Sequence, residues 1–308
     1  MRNRPSVLII VSLGMFAMIP ACTPSKHASA AGKKTIVVTY SVLGSIVHEL
    51  VGDLATVRVM IPNGLDVHEW EPSAKDIESL TKADLVVENG LGLEGGMGKA
   101  LDQARSAGVK FFTVSNCITI RRVGAGEGIP SGDPDQAVGA EDPHLWTDPV
   151  AVKAMVVALT PELKTELGLD VSARAADLEK RLDGLDREIG TAVAALRPGQ
   201  RKLVTGHESL GYFAQRYGFT LVGAVVPSLT TEAESSAADF VALKRLIAEN
   251  QVKVIFTEIG TPARTVEALA KESGITAVPL KTHSMPADGS YLTFARDLSA
   301  VIIGALRQ

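Results

Sequence analysis

Hydrophobic residues recur at two spacings along this chain, and the alternation of the two predicts its fold class. Short apolar runs are typical of buried strands, whereas apolar residues at every third or fourth position are typical of amphipathic helices. The predicted strands are Lys34–Tyr40, Val57–Ile61, Asp84–Glu88, Lys110–Val114, Lys202–Thr205, Thr220–Val226, Val252–Thr257 and Thr276–Leu280. The predicted helices are Leu43–Val51, Ser73–Leu80, Lys99–Ala107, Asp148–Leu167, 170–196, Leu210–Tyr217, Ala237–Glu249, Pro262–Ser273 and Leu292–Leu306. This order favours an α/β fold with mostly parallel sheets flanked by helices.

The segment 170–196 is the longest predicted helix and divides the α/β pattern in two. Its apolar residues recur at three- and four-residue steps, with charged residues between them. A helix of roughly 27 residues is about 40 Å long, and Pro198-Gly199 is a typical helix end. We therefore expect two α/β lobes, at 34–168 and 199–308, joined by one long rigid helix at 169–198.

A segment rich in glycine, proline and acids, residues 121–142, interrupts the first lobe and predicts a mobile surface loop. The loop contains no histidine. The acids of this loop are Glu127, Asp133, Asp135, Glu141 and Asp142. Their carboxylates either attract a cation weakly toward the site or are simply solvated and have no role in binding.

The first residues are typical of an export signal rather than of a folded lobe. Two arginines precede an apolar run too short to span a membrane, so residues 1–21 are predicted to be a signal peptide. The run leads to Met18–Cys22, which resembles a lipobox, and Cys22 is therefore the residue expected to carry lipid. Ala28-Ser29-Ala30 is a rival cleavage site, and 22–33 form a linker. These features predict a protein of the periplasm or of the outer face of the cell membrane, lipid-anchored at Cys22.

Composition and charge exclude some classes of function. Of the 308 residues, 46% are hydrophobic and 21% are charged, which is ordinary for a folded protein. The formal net charge is −4 and the sequence has no basic stripe, so nucleic acid is not an expected partner. Cys117, which we predict to be a core strand residue, has no partner if Cys22 is acylated, so no disulfide framework is expected.

Four of the six histidines stand where α/β proteins bind ligands. In open α/β sheets, the loops that follow the carboxyl ends of the strands converge on a binding site. His68, His207 and His283 follow predicted strands, and His144 stands at the start of a helical region. Each histidine alone is able to cap a helix or to bond a buried backbone group. Three in the same structural context favour one shared site, and we take His68, His144 and His207 as its core.

The chemistry of these residues points to a metal ion. Imidazole suits zinc, and acids beside His68 and His144 are suited to fixing the histidine tautomer. The spacing fits no compact motif, since neither His-Glu-x-x-His nor Cys-x-x-Cys occurs. An alternative is a zinc hydrolase with three protein ligands, a reactive water and Glu69 or Glu208 as general base. A third interpretation is an adhesin or a binder of organic metal chelates.

Five segments resemble the metal-binding components of bacterial zinc and manganese ABC importers. They occur in the family's order, span nearly the whole mature chain, and are Asp66–Ser73, Ala83–Leu91, Asp142–Pro149, Thr205–Phe213 and Ser228–Glu234. The resemblance implies two lobes joined by a rigid helix, with the metal held between them by a binding protein that is not an enzyme.

The same resemblance implies a ligand set. It assigns the first three ligands to His68, His144 and His207, and a histidine at the third position is typical of the zinc type. The family often has an aspartate after the last strand of the second lobe. This chain has His283 there and Asp288 five residues beyond, so we predict Asp288 as the fourth ligand, with His283 as the alternative.

The resemblance also implies cargo and partners. The expected cargo is Zn²⁺, with Mn²⁺ as the alternative. The expected partners are the permease of an ABC importer and its ATPase, and a zinc metallochaperone is a further candidate. The chain is expected to act as a monomer.

Overall fold

Four parallel strands form the sheet of the first lobe. The computed structural model describes residues 32–128 and 136–307, so the predicted signal peptide and Cys22 lie outside the described residues. The sheet has the order β2-β1-β3-β4, and its strands are β1 (Lys34–Tyr40), β2 (Ala55–Ile61), β3 (Leu85–Glu88) and β4 (Phe111–Thr113). The apolar run in the middle of β1 is fully buried, as expected for a strand covered on both faces.

Three helices follow the strands of this lobe: α1 (Ser41–Val51), α2 (Ala74–Thr81) and α3 (Gly98–Ser106). Helix α2 begins at a capping box, in which Ser73 and Asp76 exchange side-chain and backbone hydrogen bonds. The prediction for Cys117 is wrong, because β4 ends at Thr113 and Val114–Cys117 forms a 3₁₀ turn in which Cys117 is half-buried.

In the sequence, the strands of the two lobes are separated by two long helices, α4 (Pro149–Leu167) and α5 (Ser172–Ala194). Helix α5 is the predicted long helix, and it packs on α4 and α1. Its buried stripe is Ala175, Leu178, Leu182, Leu185, Ile189 and Val193. The helix is shorter than 170–196, because Asp170 accepts hydrogen bonds from the backbone and hydroxyl of Ser172 before the first turn. In the described ranges, none of the helices is long and apolar enough to cross a membrane.

The second lobe has two pairs of parallel strands instead of one continuous ladder. The pairs are β5 (Lys202–Thr205) with β6 (Thr220–Ala224), and β7 (Val254–Thr257) with β8 (Thr276–Pro279). Strand β5 lies beside β7. The flanking helices are α6 (Gly211–Tyr217), α7 (Ala237–Glu249), α8 (Ala263–Ser273) and α9 (Tyr291–Leu306). The predicted fold class, two α/β lobes and one long joining helix, is confirmed. The boundaries 34–168, 169–198 and 199–308 stay a prediction.

The two lobes are held together by apolar packing and by direct hydrogen bonds. One hydrophobic cluster extends from β1 through α5 to α9, so the lobes share a core. Asn63, after β2, donates to the Met285 carbonyl at 3.2 Å and accepts from the Met285 N–H at 2.7 Å. The Gly64 N–H donates to the His283 carbonyl at 3.3 Å. The loops after β2 and β8 therefore lie side by side.

A buried polar network at the end of β3 fixes a third loop in the same place. The Asn89 side chain accepts from the Tyr40 hydroxyl at 2.9 Å and donates to the Pro143 carbonyl at 2.9 Å. Glu94 Oε1 accepts from the Asn89 N–H and from the Thr39 hydroxyl, both at 2.7 Å. Burial raises the pKa of Glu94 to about 7, although these hydrogen bonds oppose the shift.

We expect Glu94→Gln to change how stability depends on pH. The pKa of Glu94 is higher in the folded chain than in the unfolded chain, so folding takes up a proton, and this stabilisation is lost as the pH rises from about 4.5 to about 7. An amide loses nothing over that range. Between pH 5 and pH 8, the free energy of unfolding of the wild type should therefore fall by about 1–3 kcal/mol more than that of Glu94→Gln. Urea unfolding at each pH measures this difference. The exposed Glu162→Gln is the control. Parallel curves for Glu94→Gln and the wild type would contradict the expectation.

Candidate metal centre

His68 lies in the loop after β2, and its backbone is held on both sides. The Asp66 carboxylate accepts from the His68 N–H at 2.9 Å, and the His68 carbonyl accepts from the Gly96 N–H at 3.0 Å. The side chain is 2% exposed. The imidazole is therefore presented inward from a loop whose backbone is fixed.

His144 is oriented by a carboxylate two residues before it. Asp142 Oδ1 lies 2.9 Å from both the backbone nitrogen and Nδ1 of His144, and both side chains are fully buried. An ionised carboxylate only accepts hydrogen bonds, so the network assigns the ring proton to Nδ1 and leaves a lone pair on Nε2. Because Asn89 holds the Pro143 carbonyl, the backbone of this loop is fixed as well.

His207 follows β5 and lies beside a buried carboxylate from another strand end. Its Nδ1 is 3.3 Å from Glu258 Oε1, at an angle that does not make a hydrogen bond, so the contact is electrostatic. Glu258 comes directly after β7 and also accepts from the hydroxyls of Ser209 at 2.7 Å and Thr282 at 2.6 Å. No spacing in the sequence indicates the contact between Glu258 and His207.

The three imidazoles meet through their Nε2 atoms. His144 Nε2 is 3.4 Å from His68 Nε2 and 3.2 Å from His207 Nε2. The three ligand atoms lie within 4.8 Å of one another, and all three side chains are buried. In the described part of the chain, no other group of three or more histidines, cysteines or acids has this geometry. The structure thus brings together the three histidines that the sequence selected.

The electrostatic surroundings keep most of these imidazoles neutral. Burial lowers the pKa of His68 well below its ordinary value, and the neighbouring histidines lower it further. Burial also lowers the pKa of His144, against the effect of Asp142. Burial opposes a charge on His207 too, but the Glu258 carboxylate outweighs it and raises the pKa. The pKa of Glu258 falls to about 2, because His207 and two hydroxyls outweigh its burial.

His283 is the fourth imidazole at the centre. Its ring centroid lies 6.3 Å from that of His68 and 6.2 Å from that of His207. Trp146 lies between two of the rings, with centroids 5.4 Å from His144 and 5.3 Å from His283. The indole N–H donates to the Thr282 carbonyl at 2.9 Å, which joins the loops that carry these histidines.

The structure does not bring Asp288 to the three histidines. Asp288 is exposed, and its carboxylate accepts from the Ser290 N–H at 3.0 Å and the Thr293 hydroxyl at 2.7 Å. These contacts close the turn before α9, which is ordinary Asp-Gly turn chemistry. The expectation of Asp288 as a ligand therefore finds no support in the geometry, because its oxygens already serve the start of a helix.

The remaining candidate residues have other contacts. His48 is exposed on α1, and His27 lies outside the described residues. Of the loop acids, Glu127 pairs with Arg121 and Glu141 pairs with Arg122. Asp133 and Asp135 lie outside the described residues.

Comparison with known proteins identifies the kind of molecule. The sequence model of the family described as ZnuA, zinc-uptake complex component A, periplasmic, matches residues 36–305. The chain belongs to the ZnuA family. Zinc-binding protein TroA of Treponema pallidum is 32% identical over 266 residues, which cover 84% of this chain and 81% of TroA. MtsA of Streptococcus pyogenes, named as an iron ABC transporter substrate-binding lipoprotein, is 26% identical over 288 residues, with 89% and 88% covered.

Solved structures agree with this assignment. The structure of the periplasmic zinc-binding protein TroA from Treponema pallidum matches with a TM-score of 0.74 at 27% identity, covering 89% of this chain and 99% of that chain. A Zn(II)-bound variant of AdcAII from Streptococcus pneumoniae matches with a TM-score of 0.75 at 25% identity, covering 89% and 98%. This ZnuA-family chain is thus a metal-binding substrate-binding protein of an ABC transporter and not an enzyme, and the hydrolase interpretation is set aside.

We expect Glu258→Gln to weaken metal binding, because the amide keeps the shape but loses the charge beside His207 Nδ1. Changes in groups that orient a metal ligand typically cost about 10- to 100-fold in affinity, and we expect a loss in that range. Competition with a zinc chelator measures it, with the exposed Glu267→Gln as the control. An unchanged affinity in folded Glu258→Gln would show that the carboxylate does not act on the site.

Proposed function

We propose that this ZnuA-family protein binds Zn²⁺ outside the cytoplasm and delivers it to the permease of an ABC importer. The cargo is bound by His68, His144 and His207, with His283 completing the shell. The protein works by holding the ion between its lobes and releasing it to the permease, without chemical change of the ion.

One observation carries the choice of zinc, namely the spacing of the three Nε2 atoms. Four nitrogens bound to zinc at about 2.0–2.1 Å in a tetrahedron lie about 3.3 Å from one another. Two of the three separations here are 3.2 Å and 3.4 Å, and all three ligand atoms lie within 4.8 Å of one another. The centre therefore needs little rearrangement to accept a tetrahedral ion.

The donor set supports the same choice. Imidazole nitrogen suits zinc, whereas manganese is better matched by carboxylates and water. TroA and the ZnuA family carry zinc in their descriptions, while the name of MtsA refers to iron. Manganese or iron is the alternative cargo, and a carboxylate ligand would favour it. Two carboxylates beside the centre, Asp142 and Glu258, are engaged with histidines and hydroxyls instead.

The hydrogen bonds of Thr282 support His283 as the fourth ligand. Its hydroxyl donates to Glu258 Oε2 at 2.6 Å, so the oxygen is left to accept from His283 Nδ1, which is 3.2 Å away. His283 Nε2 then carries a lone pair, and it has no hydrogen-bond partner among the described residues. The ring lies about 1 Å farther from its neighbours than the other three rings do from one another, by centroid distances of 6.2–6.3 Å against 5.0–5.4 Å. A small movement of this loop would complete an all-imidazole shell.

Location and partners follow from the family and from the N-terminus. Relatives are named as periplasmic proteins and as lipoproteins, in agreement with the predicted signal peptide at 1–21 and lipid anchor at Cys22. The role in an ABC importer implies a permease and an ATPase as partners. A monomeric state and supply by a zinc metallochaperone are further parts of the proposal.

We expect the mature protein to bind about one Zn²⁺ per chain and to prefer it to Mn²⁺ and Fe²⁺. Replacing His68, His144 or His207 by alanine removes a ligand, so each variant should lose at least about 100-fold in affinity. Chelator competition measures the affinity, and atomic absorption of the dialysed protein measures the stoichiometry.

The matched control is His48→Ala, which removes an exposed histidine on α1 and should leave zinc binding unchanged. Wild-type affinity in all three site variants would refute the ligand assignment. Tighter binding of Mn²⁺ or Fe²⁺ than of Zn²⁺ would refute the choice of cargo.

The fourth ligand is tested by His283→Ala beside Asp288→Ala. We expect His283→Ala to weaken zinc binding strongly, whereas Asp288→Ala should lower stability slightly through the loss of contacts at the start of α9 and leave affinity unchanged. The absorption spectrum of the Co²⁺-loaded protein gives an independent measure, because loss of a nitrogen donor shifts its d–d bands. The opposite pattern would assign the ligand to Asp288.

A further inference from the structure

A buried arginine lies directly behind the metal centre, outside the set of candidate ligands. Arg121 is 5% exposed. Its backbone N–H donates to the Tyr212 hydroxyl at 3.0 Å, and its carbonyl accepts from the Asp142 N–H at 3.0 Å. Arginine is rarely buried unless it is paired, so its partners indicate what it does.

The Arg121 guanidinium joins two carboxylates of the 121–142 segment. Nη1 is 3.1 Å from Asp142 Oδ2, and Nη2 pairs with Glu127. Asp142 is fully buried, and its two oxygens have separate tasks: Oδ1 bonds His144 while Oδ2 bonds Arg121. Without Arg121, Oδ2 would be a buried charged atom with no partner, and the carboxylate would turn toward another donor. Such a turn would disturb the hydrogen bond that orients His144.

The segment that carries His207 packs closely against the other side of the Arg121–Asp142 ion pair. Gly211, the first residue of α6, lies four residues after His207, and a Cβ atom there would overlap Asp142 Oδ2 and Arg121 Nη1. Only a glycine lets the helix approach this closely. The Arg121–Asp142 pair is thus packed between the segments that carry His144 and His207.

The predicted loop 121–142 therefore has a role at both of its described ends. Glu127 reaches back to Arg121, and Gln136 donates to the buried carboxylate of Glu208 at 2.8 Å. Glu208 is the residue next to His207. Both contacts run to neighbours of the metal ligands, although the segment itself contributes none of the histidines.

We propose that Arg121 is a positioning residue for metal binding, which holds the Asp142 carboxylate in the one orientation that presents His144 Nε2 to the ion. The inference rests on the proposed metal site.

The test compares Arg121→Gln with Arg122→Gln in the full mature chain. Arg122 is the adjacent residue and pairs with Glu141 at the surface, so its loss removes an arginine of the same loop without touching Asp142. Zn²⁺ affinity is measured by chelator competition, the Co²⁺ spectrum reports the ligand geometry, and the melting temperature of the metal-free protein reports stability.

We expect Arg121→Gln to lose about 10- to 100-fold in Zn²⁺ affinity and to change the Co²⁺ spectrum, while Arg122→Gln behaves as wild type. Arg121→Lys keeps the charge but is not able to span two carboxylates, and should lose about 3- to 10-fold. Gly211→Ala leaves Arg121 in place but adds a Cβ atom that displaces the ion pair, so this variant should also bind Zn²⁺ more weakly than the wild type.

The outcomes separate the two proposals. If the wild type binds no Zn²⁺, the proposed function fails. If the wild type binds and folded Arg121→Gln binds equally well, with an unchanged Co²⁺ spectrum, Arg121 has only a structural role and the inference is overturned. If Arg121→Gln does not fold, Arg121→Lys decides, and wild-type affinity in that variant overturns the inference.

Discussion

An imidazole binds a metal only through an unprotonated nitrogen, and this structure satisfies that condition by giving the other ring nitrogen a polar neighbour. His144 Nδ1 bonds Asp142, His207 Nδ1 faces Glu258, and His283 Nδ1 lies beside the Thr282 hydroxyl. In each case the neighbour is buried and is held by further hydrogen bonds. The orientation of these imidazoles thus depends on a layer of buried oxygens behind them, as is general for histidine metal sites.

These oxygens lie where they do because of the order of the elements. Parallel strands end at a common edge, and the loops after β2, β5, β7 and β8 supply His68, His207, Glu258 and His283. The remaining imidazole, that of His144, comes from the segment before α4, which is fixed by Asn89 at the end of β3. Since these loops belong to different lobes, contacts such as Asn63 with Met285 complete the centre. The site forms only when both lobes are folded and in contact.

Periodicity and strand-end chemistry were enough to predict the α/β class, the long helix and three converging histidines. They gave no indication of contacts that are not periodic. Asp288 as a ligand stays a prediction that the geometry does not support, because its oxygens serve the turn before α9. Cys117 follows an apolar run, yet the strand stops earlier. The pairing of Arg121 with Asp142 spans 21 residues and has no short motif. Such contacts depend on how loops pack, which spacing along the chain does not encode.

Trp146 is one of two tryptophans in the protein, and its ring centroid lies 5.4 Å from that of His144 and 5.3 Å from that of His283. Its ring is fully buried, and its N–H is bonded to the chain that leads to His283. Any change in ring protonation, or any shift of that loop, alters the surroundings of the indole. The molecule accordingly carries an intrinsic optical probe at its centre, and its emission would follow the loading and unloading of cargo in real time without a label.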